Sequence, residues 1–303
     1  MTIFKNEFSW SISRDDTFRK CRRMYYFQYY GSWGGWSDEI DERTRKIYIL
    51  KQLQTRQMWA GNKVHECIEK VIKNIHDGIK TINTKQSINE TLDIMRQEFK
   101  NSKKRKYLKE PKACALFEHE YELKLPDTEW KNTADHVIKC LNIFFDSDVY
   151  RSICQLSDEK WLEVEKFSYF QYDDIKVYVV LDFAFRNGDE TVIFDWKTGK
   201  EEAGNHKLQL ACYGLYAIQQ WGVKPEQIRT IEFYLSSGKQ NGYYLTDFEL
   251  DPIHQYIENS IKAMKEILDN PQANIASEDR FSFSENEQVC QYCNYLKVCP
   301  KWV

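Results

Sequence analysis

Between residues 161 and 197 the sequence leaves helical spacing for three runs rich in Val, Ile, Tyr and Phe: WLEVEKFSYF, DIKVYVVLDFAF and TVIFDWK. Turn signals at Asp173-Asp174 and Asn187-Gly188 separate them, so the segment predicts a three-stranded antiparallel meander. Two of the runs embed an acid in apolar strand sequence, as Leu181-Asp182-Phe183 and Phe194-Asp195-Trp196. An unpaired carboxylate there is expensive, and a metal ion is one partner that compensates both.

Asp195 and Lys197 point to one face of an extended strand, two residue rises apart, so a carboxylate and an ammonium share one small site. The commonplace reading is a salt bridge on a surface hairpin. The neighbours favour chemistry instead. Between 158 and 195 stand ten acids against Lys160, Lys166, Lys176 and Arg186, and an acid from an adjacent strand completes an oxygen-ligand set for Mg²⁺ or Mn²⁺. An amphipathic helix expected over about 205–221 then places Gln209 and Tyr213 four residues apart on one face. His206 is a further candidate beside it; the other isolated histidines have no supporting context.

Before the meander the spacing is helical. Ser13 is the expected cap of a helix with an aromatic and a basic face, followed by a long helix over 43–77 that contains Gly61, and by helices over 86–107 and 131–150. Trp10, Trp33, Trp36, Tyr25, Tyr26, Tyr29 and Tyr30 near Arg19, Arg22 and Arg23 suit either base stacking or a core. Residues 100–112 hold seven positive side chains against Glu110, a basic patch or a solvated lysine helix. IRTIEFYLS and GYYLTDFEL return as strands, and a helix over 252–269 closes the chain before a cysteine-rich tail. The sequence predicts a single α/β domain over 1–303, with a helical region over 36–155 and the sheet and its helix over 156–250.

A formal charge of -3 gives no global basic field, so a nucleic-acid ligand has to be held by local patches. No apolar run reaches the length of a membrane-spanning helix, and the first residues lack a secretory pattern, which predicts a cytoplasmic protein without membrane partners. Nine cysteines without an export signal point to thiols or a metal site rather than disulfides. Cys67, Cys114, Cys140, Cys154 and Cys212 read as small hydrophobes, whereas Cys290, Cys293 and Cys299 crowd the last fourteen residues.

Taken in order, these residues resemble the PD-(D/E)xK nucleases, specifically the RecB-type exonuclease branch. GNKVHE with His65 is similar to the family's first helical motif, whose His ligates metal; Asp182 stands at its first essential Asp; DWKTGK resembles the (D/E)xK motif; and QLACY, from Gln209 to Tyr213, is similar to the QxxxY motif implied to contact DNA. Leu181 replaces the Pro of the family name. The resemblance implies a restriction-endonuclease-like fold, a mixed sheet with helices on both sides, and a Mg²⁺- or Mn²⁺-dependent deoxyribonuclease acting on DNA ends or single strands. His65, Asp182, Asp195 and the Trp196 carbonyl would hold metal, with Lys197 activating water and Glu165 outside the ligand set.

Cys21 with Cys290, Cys293 and Cys299 resembles the iron-sulfur staple of the AddB-type and CRISPR-associated RecB-like exonucleases. This implies a [4Fe-4S] cluster joining residues 1–35 and 280–303 in a cysteine-rich appendix; by spacing alone four thiolates equally suit zinc. There is no GxxxxGK[ST] run, so a helicase or other complex subunit is the expected source of any unwinding. The alternative is a catalytically silent DNA-binding scaffold of a repair or defence complex.

Overall fold

The protein is described by a computed structural model covering residues 5–79, 81–201, 206–248 and 250–302. The N-terminal half is helical: after a two-residue strand β1 (Ser9–Trp10) come α1 (Ile12–Lys20), α2 (Arg22–Tyr26) with a π turn over Phe27–Gly31, α3 (Glu42–Lys51), α4 (Arg56–His76), α5 (Thr84–Lys103), α6 (Phe117–Glu120), α7 (Asp127–Phe145) and α8 (Asp148–Ile153).

Three local expectations need correction. The cap of α1 is Ser11 rather than Ser13, its Oγ accepting the Arg14 N–H at 3.2 Å. The stretch 43–77 is two helices, because Gln54 leaves helical geometry to bridge Leu116 and Thr55 restarts the helix, its hydroxyl accepting the Met58 N–H. The helix expected over 131–150 is likewise split between α7 and α8, the second capped by Ser147. Gly61 does not break α4. It lets the helix approach the loop after the meander: a Cβ there would stand 3.1 Å from Thr198 Oγ1.

The meander forms as β2 (Trp161–Tyr172), β3 (Ile175–Asn187) and β4 (Glu190–Lys197). Its two-residue turns begin with residues of positive φ, Asp173 (50°) and Gly188 (62°), which bend the chain with the hand that a twisted hairpin needs. Then follow α9 (His206–Trp221), β5 (Ile228–Tyr234), β6 (Lys239–Tyr244) and α10 (Leu250–Glu266). Strand β5 lies parallel to β4, so α9 is the crossover between them, and the six strands form one mixed sheet ordered β1-β3-β4-β5-β6 with β2 on the other edge of β3. No helix among the described residues is long and apolar enough to cross a membrane.

Helices cover both faces. Val64, Ile68 and Val71 of α4, with α5, α7 and α8, pack on Phe183, Val192, Phe194, Trp196 and Phe233. On the opposite face Trp10, Phe18 and Tyr25 join α9 and α10 against Val177, Val179, Leu181 and Ile193. A third cluster gathers α3 with Phe117, Tyr295 and Val298, so the C-terminal segment is part of the packed body.

Two departures from regular pairing make an opening. Along one edge of β3, β1 pairs with Lys176 and Val177 while β4 pairs only from Phe183 onward, so the stretch between has no strand neighbour on that side among the described residues. Residues 177, 179 and 181 face one core cluster and 183 and 185 the other, so the alternation of β3 reverses at Asp182. Glu165, opposite Asp182 in the β2–β3 register, has φ 45°, and there the pairing of β2 skips a residue pair.

Candidate metal-dependent active site

Because β3 and β4 part company at Asp182, the residues around the gap come from five elements. Asp182 is 6 % exposed; its Oδ2 accepts the backbone N–H of Trp196 at 2.5 Å, and its Oδ1 lies 3.2 Å from His65 Nδ1 on α4. The same imidazole nitrogen is 3.1 Å from Glu165 Oε1 on β2. One ligand atom from each of His65, Glu165 and Asp182 fits within a 4.8 Å span, the one such set among the described residues.

On the other side of the gap Asp195, 3 % exposed, follows Phe194, the last residue of β4 that pairs with β3. A closed ring holds it. Lys197 Nζ lies 2.5 Å from Asp195 Oδ2 and donates to Gln209 Oε1 at 2.9 Å; Gln209 Nε2 donates to Tyr213 Oη at 2.7 Å; and the Tyr213 hydroxyl donates to Asp195 Oδ1 at 3.2 Å. The predicted four-residue spacing on α9 thus delivers both side chains to Lys197 and Asp195.

Electrostatics follow from packing acids together. Burial pushes the Asp182 carboxyl up to about 7 against the pull of His65, with Asp195 and Glu165 adding like-charge repulsion. Burial opposes a charge on His65, but Asp182 and Glu165 outweigh it and raise its pKa well above the usual imidazole value. The Tyr213 hydroxyl is held protonated by burial and by Asp195. A cation in the gap would relieve this crowding. The carboxylates suit Mg²⁺ or Mn²⁺, with an imidazole nitrogen favouring Mn²⁺ of the two, and Asp195 Oδ2, buried, has the Lys197 ion pair but no directed hydrogen bond, leaving lone pairs for an ion.

The structure brings together His65, Asp182, Asp195, Lys197, Gln209 and Tyr213. Glu165, expected outside the ligand set, shares the imidazole nitrogen with Asp182. A Glu beside Lys166 in a strand carries no mark of this in sequence; only the backbone reversal at 165 turns it inward. The His206 side chain lies outside the described residues.

Cys21, Cys290, Cys293 and Cys299 line one cavity, in which α2 meets the C-terminal tail. All are free thiols; burial raises Cys293 to about 12 and also raises Cys299. No three of the sulfurs lie within 4.8 Å of one another. Trp10 and Tyr25 are core, Arg23 pairs with Glu278 at 2.6 Å, and only Trp33 and Trp36 of the aromatic set are exposed, each by less than half. In the basic run Arg105 pairs with Glu122 and Lys106 with Glu110, as on a solvated face.

The family model of the PD-(D/E)XK nuclease superfamily matches residues 9–300. No curated protein matches the chain.

Proposed function

The chain belongs to the PD-(D/E)XK nuclease superfamily, and from that premise we propose that it is a Mg²⁺- or Mn²⁺-dependent deoxyribonuclease of the RecB-like type, acting on single strands or from ends. The observation that carries this reading is the convergence of Asp182, Asp195 and Lys197 at the gap between β3 and β4, with His65 and Glu165 completing a set of metal-ligating groups.

His65, Asp182, Asp195, Glu165 and the Trp196 carbonyl are the groups that would hold the ion. When bound, the ion polarises the scissile phosphate and acidifies water. Lys197 then orients the attacking water in line with the leaving oxygen and offsets charge growing on the phosphate. Gln209 fixes the Lys197 ammonium and Tyr213 fixes the Asp195 carboxylate, so both reach the reaction already aligned. With no motor motif in the sequence, duplex substrates need an end or a partner that unwinds them.

For the four cysteines we propose a [4Fe-4S] cluster. Four thiolates suit a [4Fe-4S] cluster or tetrahedral zinc, and iron and acid-labile sulfide content decides between them; either would join the two ends of the chain.

The deciding experiment incubates end-labelled single-stranded and blunt duplex DNA with anaerobically prepared protein and Mg²⁺, Mn²⁺ or EDTA, beside Lys197→Ala. Metal-dependent products that fall at least a hundredfold in the variant are expected, the scale of losing a group that stabilises transition-state charge. Equal cleavage by Lys197→Ala would overturn the site; DNA binding without cleavage would leave a silent scaffold.

A further inference from the structure

A cleft of about 590 Å³ occupies the place where β3 lacks a strand neighbour. Tyr178, Val179 and Val180 form its wall, and Gln209 and Tyr213 line it as well, so it opens onto the candidate catalytic ring. Two features of this cleft bear on what it can hold.

The first is a charge. Arg14 lines the cleft and is 4 % exposed. Its guanidinium donates to the hydroxyls of Tyr25, Ser9 and Tyr30 at 3.1, 3.1 and 3.3 Å, and lies over the rings of Tyr29 and Phe8 at 4.4 and 4.8 Å. Every partner is neutral, and among the described residues no carboxylate pairs with it. Lys51 reaches the same Tyr29 ring at 5.9 Å, also without an ion pair among the described residues; burial and then Arg14 lower its pKa. Asp16, the acid on the cleft wall, is engaged by Arg19 at 2.9 Å. A buried cation without a counter-ion is costly, and a second cation beside it makes the site more so, until an anion arrives from outside.

The second is an aromatic platform. Phe167, 69 % exposed, lies flat on Tyr178, with ring centroids 4.5 Å apart at 16°, and both line the cleft. Tyr169 meets Tyr178 edge-on at 5.7 Å. Flat exposed rings next to an unsatisfied positive end match a chain that alternates bases with phosphates and leaves its bases unpaired.

We propose that this cleft carries single-stranded DNA to the catalytic ring, with a backbone phosphate against Arg14 and Lys51 and a base stacked on Phe167 and Tyr178. The proposal rests on the nuclease reading for its destination, while its chemistry of recognition stands on the cleft alone. A duplex hides its bases and cannot use the platform.

The test is fluorescence anisotropy of a 5′-labelled oligodeoxythymidylate and of a blunt hairpin duplex in EDTA, so that cleavage plays no part. Phe167→Ala and Lys51→Gln change side chains outside the core; Arg14→Gln removes the buried charge itself. Loss of one stacked base in Phe167→Ala is expected to weaken single-strand binding by about tenfold and leave hairpin binding alone. Lys51→Gln is expected to reduce the slope of log affinity against log salt by about 0.7. Wild-type affinity and slope in both, or equal losses on the hairpin, would overturn the proposal even if the protein cuts DNA. Selective losses in a protein that never cuts would keep the cleft and sink the nuclease reading.

Discussion

Glu165 shows how much one residue's backbone can decide. At φ 45° it occupies the left-handed region, which costs a non-glycine residue on the order of 1 kcal/mol and persists only where surrounding structure enforces it. Here the paired flanks of β2 and β3 enforce it, since Val164 and Lys166 keep the register with Phe183 and Leu181 on either side. What the strain gives in return is a carboxylate 3.1 Å from His65 Nδ1 instead of one in solvent. If Glu165 ligates metal, Glu165→Ala raises the Mn²⁺ concentration for half-maximal cleavage at least tenfold, the usual scale of losing a group at or just behind a metal, and leaves much of the rate at saturating metal. If it contributes nothing to the metal site, the metal requirement stays at the wild-type value. A metal titration of cleavage by wild type and variant separates the two. In either case its contact with His65 was hard to read in advance: the resemblance singles out Glu165 as an acid outside the ligand set, and its polar neighbours, unlike the apolar settings of Asp182 and Asp195, announce no need for a partner.

Among the elements, α9 carries the most function for its length, since Gln209 and Tyr213 must arrive together at Lys197 and Asp195. Its height over the sheet is set by Gly214, one residue past Tyr213. A Cβ at 214 would fall 2.5 Å from Leu245 Cδ1 and 2.9 Å from Cδ2, inside a core where Leu245 is fully buried. Gly214→Ala therefore lifts α9 or displaces Leu245; overpacking of this kind costs about 1–3 kcal/mol, more than the roughly 1 kcal/mol that Ala returns in helix propensity. We expect a lower thermal midpoint and a slower nuclease. Leu245→Ala removes the clashing atoms, so the double variant should be more stable than the sum of the single losses predicts; strict additivity would show that Gly214 does not set the packing. The elements themselves were legible where period and punctuation agree, as in the meander and α9. They were not legible at Gln52–Thr55, where no Gly or Pro marks the break and the bridge from Gln54 to Leu116 is a contact between distant parts of the chain. Strand β1 escaped for the same reason, since two residues carry no period and Ser9 and Trp10 become a strand only by pairing with Lys176 and Val177.

At the scale of the whole molecule the two ends of the chain depend on each other. Arg23 donates its backbone N–H to Ser282 O at 3.0 Å and its Nε to Phe281 O at 2.8 Å, Phe281 packs on Tyr25 and Tyr26, and Tyr295 and Val298 enter the core cluster of α3. The same α1–α2 segment supplies Arg14 to the cleft, so whatever fixes the ends also fixes that wall. Packing alone leaves this joint short of regular structure, because the tail after α10 holds brief 3₁₀ turns and an isolated bridge between Asn270 and Ile275 among the described residues. A cluster on Cys21, Cys290, Cys293 and Cys299 would add a covalent closure spanning most of the sequence, and closing so long a loop removes unfolded-chain entropy worth about 5 kcal/mol in the simplest model. Anaerobic protein should then be brown, contain iron and acid-labile sulfide, and lose both in Cys21→Ser. That variant should also melt well below wild type and expose α1 and the tail to protease before the sheet is cut, because the loss falls on the joint and not on the β2–β4 meander. A colourless wild-type protein with one zinc would replace iron by zinc at the same joint. Unchanged metal content and melting in Cys21→Ser would mean that the ends are held by Arg23, Phe281 and their neighbours without any metal at all.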